Sequence, residues 1–485
     1  MSKVFKFTLP NRKSSFHTVA EEKEAAERLT EEKLKACLQI LPGLLKQLER
    51  IPDPRDPKKV KHQITVLMLY GILMFVFQIA SRRQANRALT TPQLLENLKA
   101  LYPELNDMPH QDTLHRFLES INVTQIEDAY IDLLRQLMRK KKFRHLLHQG
   151  RFLIAIDGTQ KHVMNACFDE HYLRRKVGED KYQYYVYVLE AVLIFSNGMV
   201  LPLMSEFLEN SPELQALEDD KDWKQDCELK AFYRLAARIK REFPRLPITL
   251  LLDGLYANGP VINLCRKNKW QFMIVLKDES LPTVWQEVNG LMRLDTRREH
   301  YHERTFRGRK QAFRWVNGIE YEYDSRRKSE MVHVVICDEN WVEVDKQGTK
   351  TAKDGRYAWI SSEPLNCQNI HTYCNLMARK RWLHENNILK EKHQGYNYEH
   401  IYSHNWNAMR GYHYLMHIAR LLNELAIHSV YLTEHVTEVG IRLFIQDFRA
   451  TLTYRALDQE RLRLLAESPG QLRLVWEDNW KAIAA

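Results

Sequence analysis

The chain has 485 residues, 44% of them apolar and 28% charged, and a formal net charge of +10. That balance excludes a disordered chain and allows roughly two to four domains with substantial cores. The positive excess points to a phosphate-bearing partner such as nucleic acid, a signature shared with merely basic soluble proteins.

Seven cysteines are scattered without a CxxC pair: Cys37, Cys167, Cys227, Cys265, Cys337, Cys367 and Cys374. They read as reduced thiols of a cytoplasmic protein, not as a disulfide frame. Cys167, His171 and His162 lack a fourth partner for a zinc site.

The opening MSKVFKFTLPNRKSS has no signal-peptide apolar core, and residues 1–20 read as an irregular arm. Residues 29–50 have helical spacing, interrupted at Pro42. A Pro-rich break from Ile51 to His62 carries Lys58, Lys59 and Lys61. The apolar run Ile64 to Ala80 is short for a membrane span and contains Thr65 and Gln78, so it predicts a buried helix. Arg82, Arg83 and Arg87 follow. Around Pro109 to Leu118 a helix-turn-helix is expected, its second helix capped by Asp112. Residues 1–145 thus read as an all-helical region with basic faces suited to DNA, or else as a helical support.

The texture changes near residue 150. RFLIAIDGT, Tyr182 to Phe195 and MVLPLMSEFLE predict three strands, with a hairpin at Asn197-Gly198. QDCELKAFYRLAARIKREF predicts an amphipathic helix. PITLLLDG, NGPVINLCRKN and WQFMIVLKD follow as strand, helix and strand. The order β-β-β-α-β-α-β over 146–278 fits an RNase H-like α/β fold, a mixed sheet flanked by helices.

Residues 279–366 alternate at strand period and read as a β-rich insertion, with turns at Gly318 and at Asp338 to Asn340. Arg304, Arg307, Arg309, Arg314, Arg326 and Arg327 on it form a candidate phosphate-contacting face. Helical texture returns over 367–410 and continues through a C-terminal helical region, 411–485.

Three carboxylates carry the candidate chemistry. Asp157 and Asp253 each end an apolar run and precede a glycine; Glu385 lies in a polar helical stretch, with Glu391 and Glu399 as local competitors. Two such aspartates on neighbouring strands would repel each other unless hard divalent cations bind between them.

The stretches IAIDGTQ, QDCELKAFYRLAARI, LLLDGLYANGPVINLCRKNKWQFMIVLKD, YAWISS and RWLHENNILKEKHQGYNYEH resemble bacterial insertion-sequence transposases of the DDE class, in the group with a β-rich insertion before the last acid. That family's pattern is tyrosine, two residues, arginine, three residues, glutamate, six residues, lysine. Arg381, Glu385 and Lys392 match it, and Ala378 replaces the tyrosine. The resemblance implies that Asp157, Asp253 and Glu385 hold two Mg²⁺ or Mn²⁺ ions, and that Arg381 and Lys392 contact DNA phosphates. It implies metal-dependent strand cleavage and strand transfer at the ends of an insertion sequence, of cut-and-paste type. The partners implied are double-stranded DNA with terminal inverted repeats, a target DNA and a second copy of the chain in a homodimer on that DNA. The location implied is the bacterial cytoplasm, at the nucleoid when DNA is bound. Alternatives are a metal-dependent endonuclease that does not join strands, and a domesticated DNA-binding protein without catalysis. No HExxH or clustered His/Cys set supports a zinc hydrolase.

Overall fold

The computed structural model describes residues 13–178, 181–210, 226–324, 328–344, 348–393 and 395–476. Arg326 and Arg327 of the candidate phosphate face lie outside them.

The described strands are β1 (Phe152–Met164), β2 (Leu173–Lys176), β3 (Tyr182–Ile194), β4 (Val200–Leu208), β5 (Ile248–Leu252), β6 (Gln271–Val275), β7 (Tyr301–Phe306), β8 (Arg309–Tyr323), β9 (Lys328–Val344) and β10 (Lys350–Ser361). They form one sheet in the order β2-β3-β1-β5-β6-β10-β9-β8-β7, and β4 also pairs with β3. β1 with β5 and β5 with β6 are parallel; the other pairs are antiparallel. Every residue of β5 is buried, as its unbroken ITLLL run requires for a strand covered on both faces.

Alternation along the strands divides the core between the two faces. Leu153 and Ala155 of β1 and Leu251 of β5 pack in one cluster, with Met377 and Ala378. Ile154, Ile156, Leu250 and Leu252 pack in the other, with Phe232, Leu235 and Ile239 of the helix Glu228–Glu242. Strand periodicity therefore turns Asp157 and Asp253 towards the first face and Gly158 towards the second.

β1 is longer than its apolar run implies. It continues through Asp157 to Met164, held by β3, whereas its parallel pairing with β5 stops at Ala155 opposite Leu251. Residues 301–361 extend the main sheet, because β10 pairs with β6 at Trp359↔Val275. Two turns expected there are absent. Gly318 lies within β8 at a bulge, its φ of 76° accommodating the register shift between Val316 and Ile319. Asp338 to Asn340 sit in the middle of β9, where Asp338 pairs with Ala312 and Arg356.

The apolar run after Ile64 forms the helix Ile64–Val76, buried at every position but Thr65. It packs on the helix Trp406–Ile427 at close range. A Cβ on Gly71 would lie 2.7 Å from Leu415 Cδ1, and one on Gly411 would lie 2.9 Å from Leu118 Cδ2. Residues of the N-terminal helices, the sheet and the C-terminal helices belong to one continuous hydrophobic cluster. Among the described residues no helix is long and apolar enough to cross a membrane. The helix Gln111–Ser120 is capped by His110, whose Nδ1 accepts from Asp112 N at 3.2 Å, so Asp112 is not the cap.

Candidate metal and phosphate site

The parallel register ends at Ala155↔Leu251; Asp157 follows two residues later on β1, and Asp253 two residues later, just past the end of β5 at Leu252. Asp157 Oδ1 accepts from Gly158 N at 2.9 Å. Asp253 caps the short turn Gly254–Tyr256, its Oδ1 accepting from Leu255 N at 2.9 Å.

The third acid reaches them from the helix Arg381–His393. Arg381 Nη1 lies 3.5 Å from Asp157 Oδ2 and 2.7 Å from Glu385 Oε1, one helical turn on. Arg381 is 8% exposed, and its Nε–H is buried with no acceptor among the described residues. Glu391 is buried against Arg420, and Glu399 pairs with Lys392, so neither competitor takes the place of Glu385.

Lys392 stands elsewhere than expected. Its Nζ lies 2.9 Å from Glu399 Oε1 and donates to Gln160 O at 3.3 Å, on the part of β1 beyond the parallel pair. Two turns of helix carry it past the acids, where the extended β1 supplies other partners.

A fourth carboxylate, unnoticed in the sequence, adjoins the group. Glu228 opens its helix, and its oxygens accept from Tyr187 OH at 3.0 Å and from Tyr256 OH at 2.8 Å. Burial raises the Asp157 carboxyl to about 6; Arg381 opposes the rise, while Glu385, Asp253 and Glu228 add to it.

Beside Arg381 a cavity of about 400 Å³ is lined by Lys277, Arg356, Tyr357, Trp359, Ala378 and Trp382. Ala378, at the family's tyrosine position, is buried in its wall. The aromatic surface there comes from Tyr357, Trp359 and Trp382 instead.

Behind the acids lies a buried polar network. Glu190, paired with Asp157 across β1 and β3, receives Tyr398 OH at 2.6 Å. With His413 and His417 it forms a group that could chelate one metal ion, one ligand atom from each lying within 4.8 Å of the others. Imidazole suits softer metals than Mg²⁺. Lys161 Nζ, 3.4 Å from His413 Nδ1, already brings positive charge to this group. Its sequence signals were a lone Glu in the apolar run YVYVLEAVLIF and a His pair four apart on one helix. Cys167, His171 and His162 do not form such a group: His171 pairs with Asp169 at 2.6 Å, and Cys167 Sγ donates to Asp169 O.

The basic residues divide. Arg83, Arg87, Lys58, Lys59 and Lys61 are exposed. Arg82 pairs with Asp112 at 2.8 Å and donates to Tyr402 O at 3.1 Å, and so braces the segments it joins. On the β extension Arg309 pairs with Glu339 at 3.1 Å, and Arg314 with Asp338 at 2.6 Å. Cross-strand carboxylates thus neutralise part of the expected phosphate face. Arg307 is exposed, and Arg304 is half-buried.

A family model described as DDE_Tnp_1-associated matches residues 45–134. The match links the helical region to proteins associated with DDE transposases. No curated protein matches the chain.

Proposed function

We propose that the chain is a metal-dependent DNA-processing enzyme of the DDE transposase type, cleaving and joining strands at the ends of an insertion sequence. The observation that carries this reading is that Asp157 and Asp253 each follow the last residues of the parallel β1–β5 register by two positions, with Arg381 contacting both Asp157 and Glu385. The sheet segment β4-β3-β1-β5-β6, three antiparallel strands followed by two parallel ones, supports an RNase H-like reading of the α/β architecture. The family match in the helical region supports the same assignment.

The donor set fits divalent ions. Burial raises the Asp157 carboxyl and its acidic neighbours Glu385, Asp253 and Glu228 add to the rise, while Arg381 contacts both Asp157 and Glu385. Asp157, Asp253 and Glu385 would hold two Mg²⁺ or Mn²⁺ ions, which when bound supply Lewis-acid stabilisation of the attacking and leaving oxygens. Arg381, whose guanidinium lies against Asp157 and Glu385, would hold the scissile phosphate by a charge-assisted bond. Lys277 and Arg356 would hold neighbouring phosphates, while Tyr357 and Trp382 offer stacking surfaces to a base. A second copy of the chain, terminal inverted repeats and a target duplex complete the proposal.

The test uses purified protein, Mg²⁺ or Mn²⁺, and a duplex carrying the DNA that borders the coding region. Metal-dependent nicking at a defined end, followed by joined products, is expected. Asp157→Asn, Asp253→Asn and Glu385→Gln should each reduce nicking to background while the proteins stay folded. Full nicking by all three would overturn the assignment, and nicking without joining would leave an endonuclease.

A further inference from the structure

Glu228 has no place in a three-acid centre, yet the fold goes to some length to hold it there. It is the first residue of its helix, on the sheet face opposite the helix Arg381–His393. Tyr187, on β3, fixes Oε2; Tyr256, three residues after Asp253, fixes Oε1. Burial and the adjacent Glu228 both raise these phenols, which therefore remain protonated donors to a carboxylate. With one hydrogen bond to each oxygen, the carboxylate keeps acceptor capacity on both.

The glycine after Asp157 belongs to the same arrangement. A Cβ at Gly158 would lie 2.6 Å from Glu228 Oε2 and 2.5 Å from the Tyr187 ring. Only a residue without a side chain lets Glu228 come this near to β1, directly beside Asp157. The Asp-Gly pair is thus explained by the approach of a fourth acid. The three atoms nearest to a Cβ on the corresponding Gly254 all belong to the flexible Lys277 side chain.

Charge gives the approach a purpose. Three acids and Arg381 carry a net −2, which two divalent ions would turn to +2, and a bound phosphate diester would leave +1. A fourth carboxylate brings that assembly to neutrality. Arg381, buried and in contact with both Asp157 and Glu385, keeps one donor, its Nε–H, without an acceptor among the described residues.

We propose that Glu228 is a fourth acidic group of the divalent-ion centre, reaching it from the opposite face of the sheet, with Tyr187 and Tyr256 as its positioning residues. The inference rests on the metal-dependent reading of Asp157, Asp253 and Glu385.

The experiment titrates Mn²⁺ against the intact protein and reads two midpoints, the rise in Tm and the nicking rate. Glu228→Gln should move both midpoints at least 5-fold higher in Mn²⁺, with nicking largely recovered at saturation. Tyr187→Phe with Tyr256→Phe should move them in the same direction by less. Unchanged midpoints for Glu228→Gln would overturn the proposal, since a merely structural role lowers Tm without altering the ion response. If Glu228→Gln does not fold, Glu228→Asp keeps the charge but shortens the reach, and must show the same shift; unchanged midpoints there overturn the proposal equally. Asp157→Asn is run alongside. If it loses the Mn²⁺ response while Glu228→Gln keeps it, only the fourth acid is wrong; if both retain the response and the nicking, the metal-dependent reading itself has failed.

Discussion

Arg381 and Asp157 form an ion pair across the sheet face, Nη1 to Oδ2 at 3.5 Å, and the same nitrogen holds Glu385 at 2.7 Å. On the proposed metal-dependent reading, this guanidinium competes with divalent ions for the two carboxylates it contacts. Its removal should therefore have opposite effects on two measurements. Arg381→Ala should tighten Mn²⁺ binding, because a competing positive charge is gone, and should slow nicking roughly 10- to 100-fold through loss of a charged hydrogen bond to phosphate. Calorimetric Mn²⁺ titration beside a nicking assay separates the two. Weakened ion binding would show that Arg381 organises the acids and does not compete with cations.

Protons should compete with the ions at Asp157. Its carboxyl is raised to about 6, above the unfolded value, so the native metal-free protein binds that proton more tightly than the unfolded chain does. Its contribution to stability is therefore present at low pH and lost as pH rises through about 6. Ion binding runs the other way, because it needs the carboxylate. The Mn²⁺-induced rise in Tm should be large near about pH 7.5 and fade as pH falls through about 6. Asp157→Asn should remove that step from the profile, and a step unchanged in this variant would assign it to another group.

What was legible depended on how local the cause was. Asp157 and Asp253 were visible because a buried strand leaves an unbroken apolar run that stops where the site begins. Glu385 and Lys392 were singled out by the intervals of the family that the chain resembles; Glu385 lies against Arg381, whereas the Lys392 Nζ lies beside Glu399 and Gln160 O. Helix geometry alone did not reveal that β1 continues to Met164 and offers Gln160 O to that lysine. Glu228 looked like any acid in a first helical turn; its role needs Tyr187, Tyr256 and Gly158, brought together from three other segments. Gly318 looked like a turn because a bulge and a turn both use a residue at positive φ. Arg82 looked free because its partner, Asp112, lies thirty positions away.

The back of the third-acid helix is anchored by a buried ion pair. Glu391 and Arg420 are each 1% exposed and in direct contact, and Asn387 bridges them, donating to Glu391 at 2.9 Å and accepting from Arg420 at 2.8 Å. Burial pushes the Glu391 carboxyl up, against the pull of Arg420. Arg420→Met leaves that carboxylate without its cation and should cost about 3–5 kcal/mol. Adding Glu391→Gln removes the stranded charge and should restore more than half of the loss. Urea unfolding of the two variants checks this, and a double variant no better than the single would show that packing, not charge, sets the cost.

The exposed cations of the helical region and the braced one beside them should behave differently. Arg83 and Arg87 are exposed on the helix Arg82–Ala88, within the family-matched stretch, whereas Arg82 is tied to Asp112 and Tyr402. If the helical region holds DNA, Arg83→Ala and Arg87→Ala should each weaken binding to the bordering duplex and lower the slope of log K against log salt by about 1. Neither should change Tm appreciably, because neither replaces a buried contact. Arg82→Ala should do the reverse, lowering Tm through loss of the Asp112 pair while leaving the salt slope unchanged. Deleting residues 1–145 cannot make this distinction, since those helices share a core with Trp406–Ile427 and the deletion would expose it. Filter binding across a salt series, with thermal melts of the same three variants, provides the comparison. Equal slopes for all three and the unmodified protein would remove this face from the DNA interface.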